Sequence, residues 1–305
     1  MGLLSKLSTG PDDQDAHGAG IALMLLAMLA FSFGDALGKK VVATYPVGEL
    51  LLLRAIAGLI VLAPLIWRQR AAFRRLERPG LQMLRTLIAA CEVAAFFIAT
   101  IYLPLADVIT FYLASALFVS VGAALFLGER IDRTRAVVIV VGFGGVLIAL
   151  QPSPQTITWP ALIAILASML FAAMLLITRF LHRTPAMVLA SQQFVGTALL
   201  GALLMAPSGW ITPAPIDWLS FGLAGVVSAI ALLCVNRSLS LAPARVVVPY
   251  QYTMIIFAAA FGWLVFGDVP TSPTVIGGAV IIGAGLFLAL RDRRAGIAKT
   301  AEAET

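Results

Sequence analysis

Glu92 is the acid that stands deepest inside an apolar stretch of this sequence, midway along residues 81–103. Arg54 is the basic residue in a comparable position on residues 47–67. A charge at the centre of an apolar helix costs about 2.5–3.5 kcal/mol on insertion scales, so each needs a partner or a wet cavity. Glu92 can meet a ligand amine or take up a proton, and it can equally form a structural ion pair with Arg54 or with Arg85 two turns away. Arg54 can hold a carboxylate through paired hydrogen bonds, or pair with Glu49, Glu92 or Asp107. Tyr112 and Ser115 share one helix face, as do Tyr250 and Thr253, because positions three apart are neighbours. Such faces offer ring surface and hydroxyls to an amphipathic ligand, or pack with their hydroxyls satisfied internally. Gln251, Tyr252, Gln192 and Asn236 are weaker candidates of the same kind, and Asp35 and Asp107 lie near segment ends where water relieves their cost.

Other chemistries lack their residues. The only histidines, His17 and His182, fall between apolar runs with no ligand-like neighbours, and Cys91 and Cys234 sit alone within apolar runs, so no metal site is expected. Without convergent histidines, paired acids or a nucleophile beside its base, no catalytic residue and no cofactor are expected, and an enzyme is disfavoured. The phosphate-cradling Gly-x-x-x-x-Gly-Lys-Ser/Thr loop is missing, which argues against ATP hydrolysis.

The elements that must position these residues follow from composition. The chain is 61% hydrophobic and 12% charged, whereas soluble domains run to roughly 45–50% and about 25%. The bilayer must therefore be the solvent for most of it, with membrane lipid as a partner. A net charge of +6 does not imply nucleic acid, since the basic residues lie in short loops rather than on one soluble face. Crossing the hydrocarbon core takes about 20 apolar residues. Ten segments meet that demand: 18–38, 47–67, 81–103, 105–127, 134–150, 158–180, 186–206, 217–240, 243–266 and 273–290. Proline, glycine or charge marks most breaks, and Leu103-Pro104 is so short that the third and fourth segments must form a tight antiparallel pair. No alternating ten-residue strand pattern favours a membrane barrel.

Positive charge sets the expected orientation. With a cytoplasmic N-terminus, the inner loops and tails hold Arg68, Arg70, Arg74, Arg75, Arg78, Arg130, Arg133, Arg135, Arg179, Arg183, Arg237, Arg245, Arg291, Arg293, Arg294, Lys6 and Lys299. The outer loops hold only Lys39 and Lys40. This asymmetry predicts both termini in the cytoplasm of a bacterial inner membrane. Residues 1–17 lack the basic start and apolar core of a signal peptide and read as a cytoplasmic tail.

The chain also repeats. Ala106-Asp107-Val108 recurs as Ala244-Arg245-Val246, placing Tyr112 on Tyr250 and Ser115 on Thr253. Gly128-Glu129 aligns with Gly267-Asp268, Phe31 with Phe171, Lys39 with Arg179, Pro46 with Pro185 and Arg54 with Gln193. A five-helix unit is odd, so its second copy must enter the membrane from the opposite side. The expected fold is an all-α integral membrane protein of ten transmembrane helices in two inverted five-helix repeats, 18–150 and 158–290, between tails 1–17 and 291–305. Such repeats place a substrate site between the halves near the midplane and exchange two access states. One chain then supplies both halves of a site, which points to a working monomer with a small-molecule substrate.

Tyr102-Leu-Pro-Leu-Ala-Asp-Val108, Leu127-Gly-Glu-Arg130 and Val141-Gly-Phe-Gly-Gly-Val146 resemble the drug/metabolite transporter superfamily, in its ten-helix EamA-type branch. Leu241-Ala-Pro-Ala-Arg-Val246, Phe266-Gly-Asp268 and Gly283-Ala-Gly285 carry the pattern in the second half. The resemblance implies a secondary transporter with a central cavity, and the chain looks most like the bacterial aromatic amino acid exporters. Export of hydrophobic or aromatic amino acids is then expected, with uptake or exchange of a nucleotide-like or sulfonium metabolite as the alternative. Many members carry proline in the middle of the fourth and ninth helices; here Ala116 and Met254 stand near those places, so no break there is carried over.

Overall fold

The computed structural model describes residues 11–74, 78–127, 133–150, 159–181, 184–241 and 247–303. Arg75, Gly128, Glu129, Arg130, His182, Arg183 and Ala244-Arg245-Val246, singled out above, lie outside the described residues, as do the side chains of His17 and Arg179. The described residues form ten helical spans. Seven contain helices long and apolar enough to cross a membrane on that measure alone, among them Gly18–Val42, Val47–Arg68, Pro79–Tyr102 and Leu105–Phe126, followed by Trp159–Thr178, Ala186–Pro207 and Pro215–Ser238. The fifth, ninth and tenth spans contribute the shorter apolar helices Ala136–Ala149, Tyr250–Phe266 and Ser272–Phe287. The third and fourth spans meet at Leu103-Pro104, where Leu103 is extended and its N–H closes on the Ala99 carbonyl.

The surface is inverted relative to a water-soluble protein. Ile60, Leu125, Val140, Leu199 and Ile256 point outward, each 65% exposed or more, as lipid-facing side chains must be. The interior is a contiguous cluster including Leu50, Leu51, Phe97, Ile109, Leu117, Phe221 and Ile281, drawn from both halves.

The packing carries the inverted symmetry. The first span lies along the eighth and the third along the sixth, which are equivalent pairings when the first repeat is laid on the second. The second span packs on the seventh and the fifth on the tenth, pairs that map onto themselves. At the second–seventh contact, Gly48 and Gly201 face each other: a Cβ on Gly48 would lie 2.7 Å from the Gly201 carbonyl oxygen, and the reverse distance is also 2.7 Å. Small residues let the backbones touch where lipid supplies no hydrophobic drive for helix association.

Two spans are broken despite lacking a proline at Ala116 or Met254. The fourth divides into Leu105–Leu113 and Ser115–Leu127, with Ala114 donating to the Phe111 carbonyl in a tighter turn. The ninth runs as a 3-10 turn Val248–Thr253, an α-helix Met254–Phe261 and a π-helical turn Gly262–Phe266. Backbone carbonyls at these breaks find hydroxyl donors: Thr253 Oγ1 donates to Tyr250 O, and Ser32 Oγ on the first span donates to Met254 O. Side chains and neighbouring helices can satisfy freed backbone groups at membrane depth; the fourth span breaks without a proline, and the ninth carries Pro249 in its 3-10 turn.

Candidate functional site

Arg54 is turned inward from the second span because spans two and eight approach closely on that side. A Cβ at Gly225 would run into the Arg54 carbonyl oxygen and lie 3.0 Å from the Gly58 nitrogen, so only glycine permits this contact. The approach brings Ser228, one turn further along, against the guanidinium. Its hydroxyl oxygen accepts from Arg54 Nε at 3.1 Å and from Nη2 at 2.7 Å, and donates in turn to the Ala224 carbonyl. The guanidinium lies over the Phe97 ring, 4.9 Å from its centroid. Asp35, on the first span, stands 3.7 Å from Nη2. That distance is an ion pair without a direct hydrogen bond. Both charged side chains are about nine-tenths buried.

Glu92 completes a second, adjoining arm. Its Oε1 accepts from the Tyr112 hydroxyl at 2.9 Å, and Tyr112 is clamped edge-on by Phe96 and at 4.7 Å by Phe171 of the sixth span. The partners proposed from sequence therefore change. Glu92 is bonded to a tyrosine rather than paired with Arg54 or Arg85, and Arg54 is paired with Asp35 rather than with Glu49, Glu92 or Asp107. Arg85 sits nearer the second-loop end, donating to Thr178 Oγ1 and the Leu189 carbonyl. Alternation of the two arms leaves a buried chain of groups, Asp35, Arg54, Glu92 and Tyr112, all within electrostatic range.

A cavity of about 90 Å³ opens beside Arg54. Phe31, Ala55, Val93, Phe194 and Leu232 supply apolar wall, while Gln193, Thr197 and Ser228 supply polar atoms. Arg54 and Gln193 are repeat-equivalent positions, so the inverted fold has brought the two copies of one sequence position to the lining of one space. Pockets for drug-sized ligands are roughly 300–1,000 Å³; this space admits one only if the surrounding helices separate.

Polar contacts join the repeats on both sides of the cavity. At the end bearing the first, seventh and ninth loops, Lys39 Nζ meets Asp268 Oδ2 at 2.6 Å and stands over the Phe266 ring. There, too, the Tyr45 hydroxyl donates to Asp217 at 2.7 Å and accepts from the Ala214 N–H, and Glu49 Oε2 accepts from Ile211 N–H. At the opposite end, Gln192 Nε2 donates to Gln82 Oε1 at 2.8 Å, and Gln82 reaches Thr184.

The remaining candidates are placed apart from the cavity. Ser115 is buried just past the break that separates it from Tyr112, so the two do not share one continuous helix face. Tyr250 packs on the cluster of Met24, Met28 and Val247, where the first span meets the ninth. Gln251 and Thr253 lie in the same 3-10 turn, and the Thr253 hydroxyl is committed to Tyr250 O. Sequence reading gave Asp35 little weight because it lies near a helix end, and missed Ser228 and Phe97. Gln193 carried a signal as the repeat partner of Arg54; a serine in an apolar span carries none.

The family model described as the EamA-like transporter family matches the chain twice, at residues 18–151 and 158–291. The pseudopaline exporter CntI of Pseudomonas aeruginosa is 31% identical over 277 residues, covering 88% of this chain and 95% of that protein. A riboflavin transporter of Rhizobium johnstonii is 30% identical over 233 residues, covering 76% and 77%. An S-adenosylmethionine uptake transporter of Rickettsia felis is 24% identical over 277 residues, covering 90% and 94%. A solved crystal structure aligns with a TM-score of 0.62 at 19% identity, over 91% of this chain and 99% of that one, which shows the same fold.

Proposed function

The chain belongs to the EamA-like transporter family, and from that membership we propose that it is a secondary carrier moving a polar, ring-bearing metabolite across a bacterial inner membrane by alternating access of the cavity beside Arg54. That it is a multi-pass membrane transporter and not an enzyme follows from the family and the relatives. The observation that carries the finer reading is the buried Arg54–Ser228 contact lining a cavity between inverted halves, with Asp35 3.7 Å from the guanidinium. Charges held at that depth by a structural role alone would be replaced by apolar packing at little cost.

The relatives draw the substrate away from the aromatic amino acids expected from sequence. Their names specify pseudopaline, riboflavin and S-adenosylmethionine, so the alternative of another, larger metabolite is the better reading. In the proposed cycle, Arg54, Glu92 and Tyr112 contact the substrate from the first repeat, and Gln193 does so from the second. Ser115, Tyr250, Gln251 and Thr253 act in the rearrangement at the broken fourth and ninth spans. The protein works as a monomer in lipid with both termini cytoplasmic, as the distribution of Arg and Lys supports.

Counterflow in proteoliposomes tests this reading. Vesicles preloaded with unlabelled S-adenosylmethionine, riboflavin or L-tryptophan are diluted into the same labelled compound at equal pH. Transient accumulation of S-adenosylmethionine or riboflavin, dependent on preloading and lost in Arg54→Gln, is expected, and accumulation of L-tryptophan alone would return the reading to the aromatic amino acids. Accumulation of none of the three would overturn the proposed substrate class, and accumulation unchanged in Arg54→Gln would remove the cavity from the pathway.

A further inference from the structure

We propose that Arg85 is an anion-receiving subsite at the second-loop end of the bundle, apart from the cavity beside Arg54. It takes a carboxylate or phosphate group of the transported compound when that end opens, and so rests on the transport reading above. Arg85 is only 7% exposed, yet among the described residues no carboxylate stands within ion-pair distance of it. Asp35 is engaged with Arg54, and Glu92, two turns further along the third span, is bonded to Tyr112. The partners of Arg85 are neutral: Nε donates to the Thr178 hydroxyl at 2.8 Å and Nη1 to the Leu189 carbonyl at 3.1 Å. A guanidinium has five N–H donors; these bonds occupy two, and Nη2 has no partner among the described residues. A buried charge without a counter-charge is strongly unfavourable, and an apolar residue fills such a place at less cost.

Position decides when this charge is used. Thr178 and Leu189 each lie within about one turn of the helix ends that face the sixth loop, so the guanidinium stands near the mouth at that end. Gln82, three positions before Arg85 and on the same face, carries the bridges to Gln192 and Thr184. Gln82 and Arg85 belong to the first repeat; Thr178, Thr184, Leu189 and Gln192 belong to the second. Every one of these contacts therefore joins the halves, and rocking the halves apart at this end breaks them together. The released guanidinium then loses its neutral partners and faces the opened mouth. Two anionic oxygens of one carboxylate or phosphate can take its parallel N–H donors, and the anion supplies the counter-charge that the closed state lacks. The exposed Arg68, Arg70 and Arg78 lie at the same end of the bundle and draw anions toward it.

Inorganic phosphate is the first probe. The unfolding midpoint of the detergent-purified full chain is followed as phosphate replaces chloride at constant ionic strength. A saturable rise is expected in the native protein and in Arg54→Gln, and its loss in Arg85→Gln. Arg85→Lys keeps the charge without the planar fork and is expected to bind phosphate about tenfold more weakly. Thr178→Val removes the acceptor that holds Nε in the closed state, so opening costs less and phosphate is expected to bind about tenfold more tightly. A purely structural Arg85 gives no such gain, and these two variants decide the matter should Arg85→Gln fold poorly. A rise that persists in Arg85→Gln, or that vanishes in Arg54→Gln, would overturn the subsite. Riboflavin and riboflavin 5′-phosphate, one body without and with the anion, then separate a group of the transported compound from a free ion. By flavin anisotropy the ester is expected to bind about tenfold more tightly in the native protein and equally in Arg85→Gln. Phosphate binding with no preference for the ester would assign Arg85 to a free anion and overturn its part in transport. Counterflow of neutral riboflavin under any of these failures would leave the transport reading standing, so the two are distinguishable.

Discussion

At the scale of single residues, the centre of this protein shows how a membrane span accommodates charge. Arg54 and Asp35 neutralise one another, while Ser228 and Phe97 fix the guanidinium's plane. A lysine cannot imitate that arrangement, because its ammonium lacks the planar fork and the stacking face. Arg54→Lys is therefore expected to abolish counterflow even though charge is kept, with the initial rate as the measurement. Tyr112→Phe leaves the Glu92 oxygen without its donor, and an unpaired buried polar group costs about 1–3 kcal/mol. The expected result is a lower unfolding midpoint in detergent, with a larger fall in transport than in stability if Glu92 touches the substrate. Glu92, Arg54 and Tyr112 were legible in the sequence because ionisable or hydroxylated groups are conspicuous in apolar runs. Which acid met which base was not, since Asp35 and Arg54 are 19 positions apart on antiparallel helices whose relative rotation no spacing rule supplies.

At the scale of elements, the broken fourth and ninth spans are the instructive case. Neither Ala116 nor Met254 is proline, yet both helices are interrupted close to those positions. The fourth span's break is thus a property of the packing, whereas the ninth carries Pro249 in its 3-10 turn, with Ser32 and Thr253 supplying hydroxyl donors to nearby carbonyls. Ala116 is the second residue of the helix that begins at Ser115, where a proline's missing N–H removes no intrahelical bond. Ala116→Pro is accordingly expected to fold with little change in thermal stability. Ala90→Pro, in the unbroken third span, is expected to cost about 3 kcal/mol or more. Comparable losses for both variants would show that the fourth span's interruption is not tolerant in the way its hydrogen bonds imply.

At the scale of the whole molecule, the inverted repeat makes each interface of one half the image of another. The first–eighth and third–sixth contacts are such a pair. Carriers of this architecture work by rocking one half against the other around a fixed site. The Lys39–Asp268 pair spans the halves at the end where the outer loops are proposed to lie. Replacing both partners of this largely buried pair together leaves no unpaired charge behind, so its loss should change transport more than folding. Cysteines at both positions, in a background with Cys91 and Cys234 replaced, are expected to stop counterflow when bridged by a short cross-linker and to restore it on reduction. Transport that continues unchanged in the bridged protein would show that this end does not open.

The sequence alone determined the class of this protein: ten spans, two inverted copies, and a few ionisable groups that could not lie in lipid unattended. Those conclusions rest on solvent and symmetry, because bilayer thickness sets segment length and an odd number of helices per copy sets inversion. Only the tertiary structure decided that Arg54 answers to Asp35 and Ser228, that Glu92 answers to Tyr112, and that Tyr250 packs against Met24 and Met28. The reason is physical. The hydrophobic period of a lipid-exposed helix says which residues are apolar but scarcely which way the helix faces, and here the facing is set by close backbone contacts at Gly48, Gly201 and Gly225.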